Sequence, residues 1–532
     1  MTSLDWWRTG AVYQVYIRSF ADGNGDGTGD VEGLRSKLPY LADLGVDAIW
    51  INPWYPSPLL DGGYDVADYR DINPAFGTLV QAEHMIAEAH ELGIRVLLDL
   101  VPNHCSWDHT WFTAALDAGP GSPERARFHF RDSPDGPPNN WQSVFGGPAW
   151  TQVDDGQWYL HLFDPSQPDL DWTHPDVRDE FTSILRFWLD RGADGFRVDV
   201  AHGMAKDPSY PDLTDHVQIL SSTKMPNHPH WDRDEVHDIN RQWRAVLDEY
   251  DDRMMVAEAW VSEESLPKYL RSDEYHQSFS FDLLMAEWDA EAYRSTIAGV
   301  YDPASALGAA STWVLSNHDV MRHTTRFGLP ADVSWRTWPV TGPVDALDSE
   351  LGERRARAAA LITLGLPGSS YIYQGEELGL PEVWELPWNV LDDPVARRSE
   401  GTQKGRDGCR VPIPWTVGGA SYGFGDGDAW LPQPERFAAY AADRQIGVAG
   451  SFHSLYRDAL RIRREHFTSD AAMTWIDSDP GVLTYERGSG VRCVANMSST
   501  PVPMPAGDIL LTSQPDLTDG LPSDTAVWLW PA

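Results

Sequence analysis

Short segments rich in β-branched and aromatic residues alternate with stretches of helical periodicity along most of the chain. Helix signals stand between them: Thr78 and Gln81 form a capping-box pattern ahead of a helix predicted over Leu79–Leu92, and Gly93 marks its end. Alternating strands and helices predict βα units around a parallel sheet, and eight of them predict an α/β fold of the (β/α)8 TIM barrel type. The predicted strands are Ala11–Ile17, Val46–Ile51, Ile94–Leu100, Gly195–Val200, Met254–Ala259, Ser278–Leu283, Ser311–Ser316 and Ser369–Tyr373.

Two irregular stretches interrupt this alternation, and the last part of the chain changes pattern. The first stretch follows the third strand, is rich in Pro, Gly, Trp and Asp, and should form a loop-rich subdomain over the barrel mouth. The final segment contains short strands at Gly481–Glu486, Arg492–Asn496 and Ala526–Trp530, which is typical of an antiparallel β-sandwich domain. The predicted organisation is a barrel over 1–104 and 175–466 with an irregular subdomain at 380–448, an inserted subdomain B over 105–174, and a C-terminal β domain over 467–532.

The charge of the chain limits its partners. The 532 residues carry a formal net charge of −39, and no basic stripe offsets it, which argues against nucleic acid and against anionic membranes or substrates. Cys105, Cys409 and Cys493 cannot all pair and lack metal-ligand spacing, and the N-terminal residues form no apolar signal region. These features predict a cytoplasmic protein without a membrane partner, and they leave a monomer and a homodimer equally open.

Three predicted strands end in an acid, namely Asp199, Glu258 and Asp319. An unpaired charge is costly to bury, so such acids belong at the open end of a strand, where something needs them. In a barrel the carboxyl ends of the strands gather on one face, so the three acids should share a pocket. Two carboxylates flanking one bond are typical of glycoside hydrolysis, and retaining enzymes keep them roughly 5–5.5 Å apart.

The neighbours of these acids indicate different roles. Arg197 stands two residues before Asp199 on the same face of the strand and should keep it ionised and nucleophilic. Glu258 lies among apolar residues in the sequence, which disfavours its charged form and suits a general acid. Asp319 follows His318 and would hold the sugar and favour the oxocarbenium-like transition state. The alternative is that Arg197 and Asp199 form a structural ion pair within the barrel.

Five segments carry a family resemblance. Asp99–His104 resembles the first signature of the α-amylase family of glycoside hydrolases (glycoside hydrolase family 13), and Gly195–Asp199, Ala257–Trp260 and Ser316–Asp319 resemble its second, third and fourth. Gln167–Trp172 resembles a further signature of the α-glucosidase and oligo-1,6-glucosidase branch. Together with the barrel pattern, the resemblance spans nearly the whole chain.

The resemblance implies a role for each of these segments. It makes Asp199 the nucleophile, Glu258 the general acid/base and Asp319 the stabiliser of the transition state. It also implies that polar side chains beside these acids hydrogen-bond the sugar in the subsite preceding the cut; they are His104, Arg197 and His318.

Two further motifs resemble those of the exo-acting members of the family: Asp61–Tyr64 and Arg406–Pro412. The resemblance implies that Asp61 pairs with Arg410 and closes the pocket around a terminal glucose, while Tyr64 stacks on the ring of that sugar. The alternative is an ion pair between surface loops. Positions that line the same pocket in relatives are occupied by Phe145, Phe163 and Gln167.

Bond preference is expected to depend on the residues that follow the nucleophile. In relatives, Val in the position of Val200 favours α-1,6 bonds, but the continuation with His202 departs from the α-1,6 type. His202 would face the leaving group. The expected function is an exo-acting retaining α-glucosidase acting on a small maltose-like substrate. The alternatives are an oligo-1,6-glucosidase, a sucrose-active hydrolase or transglucosylase, and a non-catalytic carbohydrate-binding relative.

A Gly-rich loop near the N-terminus alternates oxygen donors in the manner of calcium loops. By resemblance to the family's α-glucosidases, it would hold one structural Ca²⁺ or Mg²⁺, and no cofactor would take part in catalysis. Lys206 stands where relatives place a lysine near Asn103 instead of the calcium of the amylases. The alternative for the loop is a hydrated turn. The expected ligands are Asp22, Asn24, Asp26 and Asp30 by their side chains and Thr28 by its carbonyl.

Overall fold

Eight parallel strands form a nearly closed barrel in the computed structural model, which describes residues 5–214, 225, 227–467, 472–515, 517 and 520–532. The order around the sheet is β7-β8-β1-β2-β3-β4-β5-β6. All eight predicted strand positions are occupied, which confirms the barrel. The strands are β1 Ala11–Val15, β2 Ala48–Ile51, β3 Arg95–Leu100, β4 Gly195–Val198, β5 Met254–Ala257, β6 Gln277–Ser278, β7 Thr312–Val314 and β8 Ser369–Tyr373.

The barrel closes through a side chain at the seam between β6 and β7. No backbone ladder joins these two strands among the residues described. Thr312 Oγ1 instead donates to the Ser278 carbonyl at 2.9 Å and accepts from the Ser280 N–H at 3.2 Å. The prediction of a strand over Ser278–Leu283 is therefore wrong beyond Ser278. The Ser280 N–H bonds a side chain instead of a neighbouring strand, and the chain then turns into the short helix Asp282–Met285.

An outer layer of helices covers the barrel. The capping box of Leu79–Glu91 is confirmed, since the Gln81 N–H donates to Thr78 Oγ1 and Gln81 Oε1 accepts from the Thr78 N–H. Across the described residues, no helix is both long and apolar enough to cross a membrane. The helices are Val31–Leu44, Leu79–Glu91, Thr110–Ala118, Pro175–Leu189, Val236–Leu247, Leu266–Tyr269, Asp282–Met285, Ala290–Ala306, His323–Arg326, Trp338–Thr341, Ser349–Gly365, Pro394–Arg398, Phe437–Tyr440, Ala442–Gln445 and Phe452–His466.

The segment after β3 contains more regular structure than its composition suggests. It forms a helix and a small antiparallel sheet with the strand order Phe130–Asp132, Gln157–Leu160, Trp150–Gln152. An isolated bridge between His104 and Asp169 ties its far end back to the carboxyl end of β3. The inserted segment is thereby held over the barrel face where the acids lie.

The C-terminal antiparallel sheet is confirmed. It packs against the helix Ser349–Gly365, where Trp528 Nε1 donates to the Leu361 carbonyl at 3.0 Å. The proposed domain boundaries stay a prediction. The strands of the sheet are, in spatial order, Met473–Trp475, Val482–Arg487, Arg492–Asn496, Thr525–Pro531 and Gly507–Thr512.

Candidate active site

One buried arginine joins carboxylates from three neighbouring strands. The parallel register pairs Asp99 of β3 with Arg197 of β4, and the nucleophile and acid candidates follow β4 and β5 directly. The Arg197 guanidinium lies 2.9 Å from Asp99 and 2.5 Å from Asp199 through Nη1, and 3.0 Å from Glu258 through Nη2. Its side chain is only 2% exposed. Asp199 and Glu258 therefore face one cavity and share one cation.

The electrostatics of this group combine burial with attraction and repulsion between charges. Burial raises the pKa of Asp199 well above its usual range; Arg197 opposes this, while Glu258 and Asp99 add to it. Burial likewise raises the pKa of Asp99 to about 6 against the pull of Arg197. Arg197 thus acts on Asp199 in the predicted direction, while burial and the two neighbouring carboxyls act against it.

The surroundings of Glu258 are polar, which corrects the expectation of an apolar environment. Oε2 accepts from the Val200 N–H at 3.0 Å and forms an ion pair with Arg197 Nη2, also at 3.0 Å. Oε1 accepts from Trp260 Nε1 at 2.9 Å. Val200 has a φ of 45°, a left-handed conformation that is strained for a β-branched residue. This backbone turn directs the Val200 N–H toward the acid, a feature that the apolar sequence around Glu258 conceals.

Asp319, which follows β7, lies among cations. Its Oδ1 is 3.0 Å from Arg406 Nη1 and 3.2 Å from Arg410 Nη2, and its Oδ2 is 3.3 Å from His318 Nε2. Burial alone would raise the pKa of Asp319, but His318 and the two arginines outweigh burial and hold that pKa far below its usual range. Since burial also lowers the pKa of His318 well below its usual value, the imidazole is neutral and the arginines supply the positive charge. Asp319 is therefore ionised.

Asp61 pairs with a different arginine from the one expected. Arg406 Nη2 lies 2.6 Å from Asp61 Oδ1, and Arg406 Nε lies 2.5 Å from Asp393 Oδ2. Among the described ion pairs, Arg410 joins Asp319 instead, and its Nε donates to the His318 carbonyl at 2.8 Å. The predicted Asp61–Arg410 bridge is therefore wrong in its arginine. Both residues stand in the same sequence motif, but only the folded backbone shows which one reaches Asp61.

Neutral donors and aromatic rings surround these charges. The Tyr64 ring stacks on His318 with centroids 5.2 Å apart and planes at 4°, and its hydroxyl donates to Asp99 at 2.9 Å. Gln167 Nε2 donates to Asp61 at 3.0 Å and lies 3.1 Å from His104 Nε2. Burial lowers the pKa of His104 to about 4, so it is neutral. The structure thus brings these predicted site residues together within one hydrogen-bonded group.

The two predicted phenylalanines lie at the entrance. The Phe145 ring is 5.6 Å from Phe163 and 5.1 Å from the guanidinium carbon of Arg406, and Phe163 is 5.0 Å from His104. A cavity of about 370 Å³ opens here, lined in part by Phe145, Asp319, Trp335 and Arg406. It gives a small molecule access to Asp319.

His202 follows the nucleophile in the chain and is buried near Glu258. Its ring stacks on Trp231 with centroids 4.9 Å apart, and burial lowers the pKa of the imidazole. Its Nδ1 is buried without a hydrogen-bond partner in the described part of the chain.

Sequence reasoning missed three residues of the site: Trp260 and Arg406, which contact the acids, and Asp99, which contacts Arg197. Asp99 opens the segment Asp99–His104, and Arg406 opens the segment Arg406–Pro412, so both stood in motifs already singled out. Trp260 stands two residues after Glu258, on the same side of an extended chain. That spacing is the signal that could have found it.

Lys206 takes the position expected near Asn103. Its Nζ donates to Asn103 Oδ1 at 2.7 Å and to the Gly203 carbonyl at 2.6 Å, and it lies 2.8 Å from Asp169 Oδ2. The ammonium thereby occupies this buried polar position and ties the inserted segment to the barrel.

The Gly-rich loop uses its side-chain oxygens to hold its own backbone. Asp22 accepts from the N–H groups of Gly25 and Gly27, and Asp30 caps the helix Val31–Leu44. Asn24 Oδ1 and Asp26 Oδ1 each accept one N–H, which leaves further acceptor capacity for a hard cation. Among the described residues, no three or more His, Cys, Asp or Glu side chains converge as a metal site. An ion here would also depend on the Asn24 amide and on backbone carbonyls.

Known proteins resemble this chain over nearly its whole length. The profile described as "Alpha amylase, catalytic domain" matches residues 14–471. A probable alpha-glucosidase of Rhizobium meliloti is 36% identical over 93% of this chain and 90% of its own. An oligo-1,6-glucosidase of Parageobacillus thermoglucosidasius is 32% identical over 93% of this chain and 91% of its own.

A solved structure gives the same result for the fold. An isomaltulose synthase variant from Erwinia rhapontici NX5, in complex with its natural substrate sucrose, superposes with a TM-score of 0.84 at 29% identity. The alignment covers 99% of each chain.

Proposed function

Because the chain belongs to the α-amylase family of glycoside hydrolases, we propose that it is an exo-acting retaining α-glucosidase that releases terminal α-D-glucose from short α-glucosides. The chain is a glycoside hydrolase, and carbohydrate is its substrate class. This sets aside the alternative of a non-catalytic carbohydrate-binding relative. The finer assignment to bond, substrate length and stereochemistry is the proposal.

The proposal rests on one observation: the Arg197 guanidinium forms ion pairs with both Asp199 and Glu258, so the two carboxyls face the same cavity. In a double displacement, Asp199 attacks the anomeric carbon while Glu258 gives its proton to the glycosidic oxygen. Glu258 then takes a proton from water, which attacks the glucosyl–Asp199 ester. The first step needs Asp199 ionised and Glu258 protonated, and the ion pair with Arg197 favours the ionised form of Asp199.

The linked charges around Arg406 support exo action. Arg406 joins Asp61 to Asp319, and Gln167 holds the second oxygen of Asp61. A charge-assisted bridge of this kind would close the pocket around a terminal glucose and offer donors and acceptors to the outer hydroxyls of that sugar. A chain end can enter such a pocket, whereas the middle of a polysaccharide cannot pass through it.

We propose an α-1,4 preference with maltose as the representative substrate. His202, which stacks on Trp231, would face the leaving group and narrow that side of the site, where Val200 alone would favour α-1,6 bonds. Two alternatives are an α-1,6 preference and activity on sucrose. One relative is an oligo-1,6-glucosidase, and the solved isomaltulose synthase variant is in complex with sucrose.

The stereochemistry of the first products tests the proposal. Proton NMR of freshly cleaved maltose should show α-glucose released first from the non-reducing end, because two inversions at one carbon retain its configuration. Initial rates should be higher on maltose than on isomaltose, sucrose or soluble starch. Early accumulation of β-glucose would contradict a retaining enzyme, and cleavage of sucrose alone would overturn the maltose assignment.

A matched pair of variants tests the acid. Glu258→Gln should lower kcat on maltose at least roughly 10²-fold, since proton transfer by a positioned side chain contributes about that much. Glu263→Gln, the same change at an exposed glutamate nearby, should keep the wild-type rate. Equal rates for both variants would refute the assignment of Glu258.

We further propose that one structural Ca²⁺ or Mg²⁺ binds the loop formed by residues 22–30. The side-chain oxygens would come from Asp22, Asn24, Asp26 and Asp30, and the carbonyl from Thr28. The Asp30 carboxylate also caps the helix Val31–Leu44. Such an ion would supply stability and no chemistry, since these residues belong to the loop after β1 and contact none of the three acids.

A further inference from the structure

The two oxygens of Glu258 have different hydrogen-bond environments. Oε2 accepts the Val200 N–H and forms an ion pair with Arg197 Nη2 at 3.0 Å. Oε1 accepts only the indole N–H of Trp260 among the described donors. A proton on Oε2 would lie against the positive guanidinium, which repels it, whereas Oε1 pairs with no cation among the described residues and keeps a lone-pair position for the proton.

We propose that Oε1 of Glu258 is the oxygen that protonates the leaving group, and that Trp260 is the positioning residue that stabilises the carboxylate left behind. This inference rests on the proposed function, in which Glu258 is the acid. The Oε1–H proton passes to the glycosidic oxygen as the bond from that oxygen to the anomeric carbon breaks. The Asp199 oxygen bonds the same carbon, and the departing sugar leaves as a neutral alcohol.

Trp260 is held rigidly enough for this task. Its ring stacks on Phe281 with centroids 4.2 Å apart and planes at 16°, and Phe281 packs on Phe279, which faces Tyr371 of β8. The indole is half-buried, and its N–H edge reaches the acid. The aromatic row therefore links the orientation of the donor to the barrel wall.

Three other groups near Glu258 also influence the balance between its ionised and protonated forms. Arg197 attracts the ionised form, the carboxyl of Asp199 repels it, and His202 is neutral because burial lowers its pKa. Trp260 adds a donor that bonds more strongly to the ionised form of Glu258 than to the protonated form. Loss of the Trp260 N–H should therefore make Glu258 a weaker acid.

The test is the variant Trp260→Phe, which keeps an aromatic ring for the stack on Phe281 and deletes the N–H. The alkaline limb of kcat/KM against pH on maltose should move upward by about one pH unit, because the ionised acid loses a charge-assisted hydrogen bond. On 4-nitrophenyl α-glucoside, whose leaving group needs little protonation, kcat/KM should fall roughly tenfold less than on maltose. Trp475→Phe, the same change in the C-terminal sheet, should leave both readouts at their wild-type values.

The outcomes separate this inference from the function on which it rests. An unmoved alkaline limb in Trp260→Phe, with equal losses on both substrates, overturns the role of Trp260 even if the enzyme is an α-glucosidase. If Glu258→Gln itself keeps the wild-type alkaline limb, the assignment of the acid fails first. Thermal melting of Trp260→Phe near the wild-type temperature, together with a moved limb, supports positioning and rejects a purely structural effect.

Discussion

At the scale of single residues, Arg406 balances more charge than its place in a loop suggests. Its three nitrogens contact Asp61, Asp319 and Asp393, which come from separate parts of the chain. Asp61 and Asp393 are buried and Asp319 is half-buried, so each depends on this guanidinium to offset its desolvation. The planar fork of an arginine can meet three oxygens in three directions, and a single ammonium group cannot.

Arg406→Lys is therefore expected to lower kcat/KM on maltose by roughly 10²-fold, since leaving a buried charge unpaired costs about 3 kcal/mol. Steady-state kinetics measure the loss. Arg186→Lys, which keeps a half-exposed surface pair with Glu249, serves as the matched control and should behave as wild type. A fully active Arg406→Lys would show that the positive charge suffices and that the three-way contact does not matter.

The acids themselves could be predicted from the sequence, whereas their partners could not. Each acid follows an apolar strand in the sequence, and the folded chain keeps this arrangement; the acids are Asp199, Glu258 and Asp319. The partner of Asp61 depends on a loop near residue 406, where a shift of four residues exchanges Arg406 for Arg410. The pKa of Asp199 depends on burial and on Arg197, Glu258 and Asp99, and the last two come from neighbouring strands that no local sequence pattern connects to it.

At the scale of secondary-structure elements, the barrel depends on one hydroxyl at its weakest seam. Thr312 of β7 satisfies two backbone groups of the chain around β6, where the ladder stops. A strand of two residues has little pairing of its own, so the side chain replaces the missing backbone bonds. The strand predicted over Ser278–Leu283 is short for this reason. Its sequence has the hydrophobic pattern of a strand, but the Ser280 N–H bonds the Thr312 side chain instead of a neighbouring strand.

Thr312→Val should destabilise the protein by about 2 kcal/mol, because an isosteric methyl leaves a buried carbonyl and a buried N–H unpaired. Urea unfolding measures the difference. Thr312→Ser keeps the hydroxyl and should lose much less. If the two variants unfold at the same urea concentration, the hydroxyl does not close the seam.

At the scale of the whole molecule, the loop of residues 22–30 lies where the two ends of the barrel sequence meet. The Asp22 N–H donates to the Phe424 carbonyl, and the Trp430 N–H donates to the Gly27 carbonyl. A segment after β1 is thereby fastened to a segment that follows β8. A cation in this loop would stabilise a contact between residues some 400 positions apart, within a chain of formal charge −39.

Removal of divalent ions should therefore lower the melting temperature by several degrees, and millimolar Ca²⁺ or Mg²⁺ should restore it, because a bound ion stabilises only the folded state. Calorimetry with and without EDTA measures this shift. Asp26→Asn, which removes one charge from the expected ligand set, should shrink the shift. A melting temperature unchanged by EDTA would leave the loop as a hydrated turn.

The entrance cavity has an origin separate from that of the bond-breaking groups. Its walls come largely from the insertion after β3, through Phe145, and from the irregular stretch after β8, through Arg398 and Arg406, whereas Asp199 and Glu258 directly follow β4 and β5. Sequence changes in the two connecting stretches can therefore alter which sugars enter the site without altering Asp199 and Glu258. Substrate selection can diverge among descendants of such a chain while the bond-breaking residues stay the same.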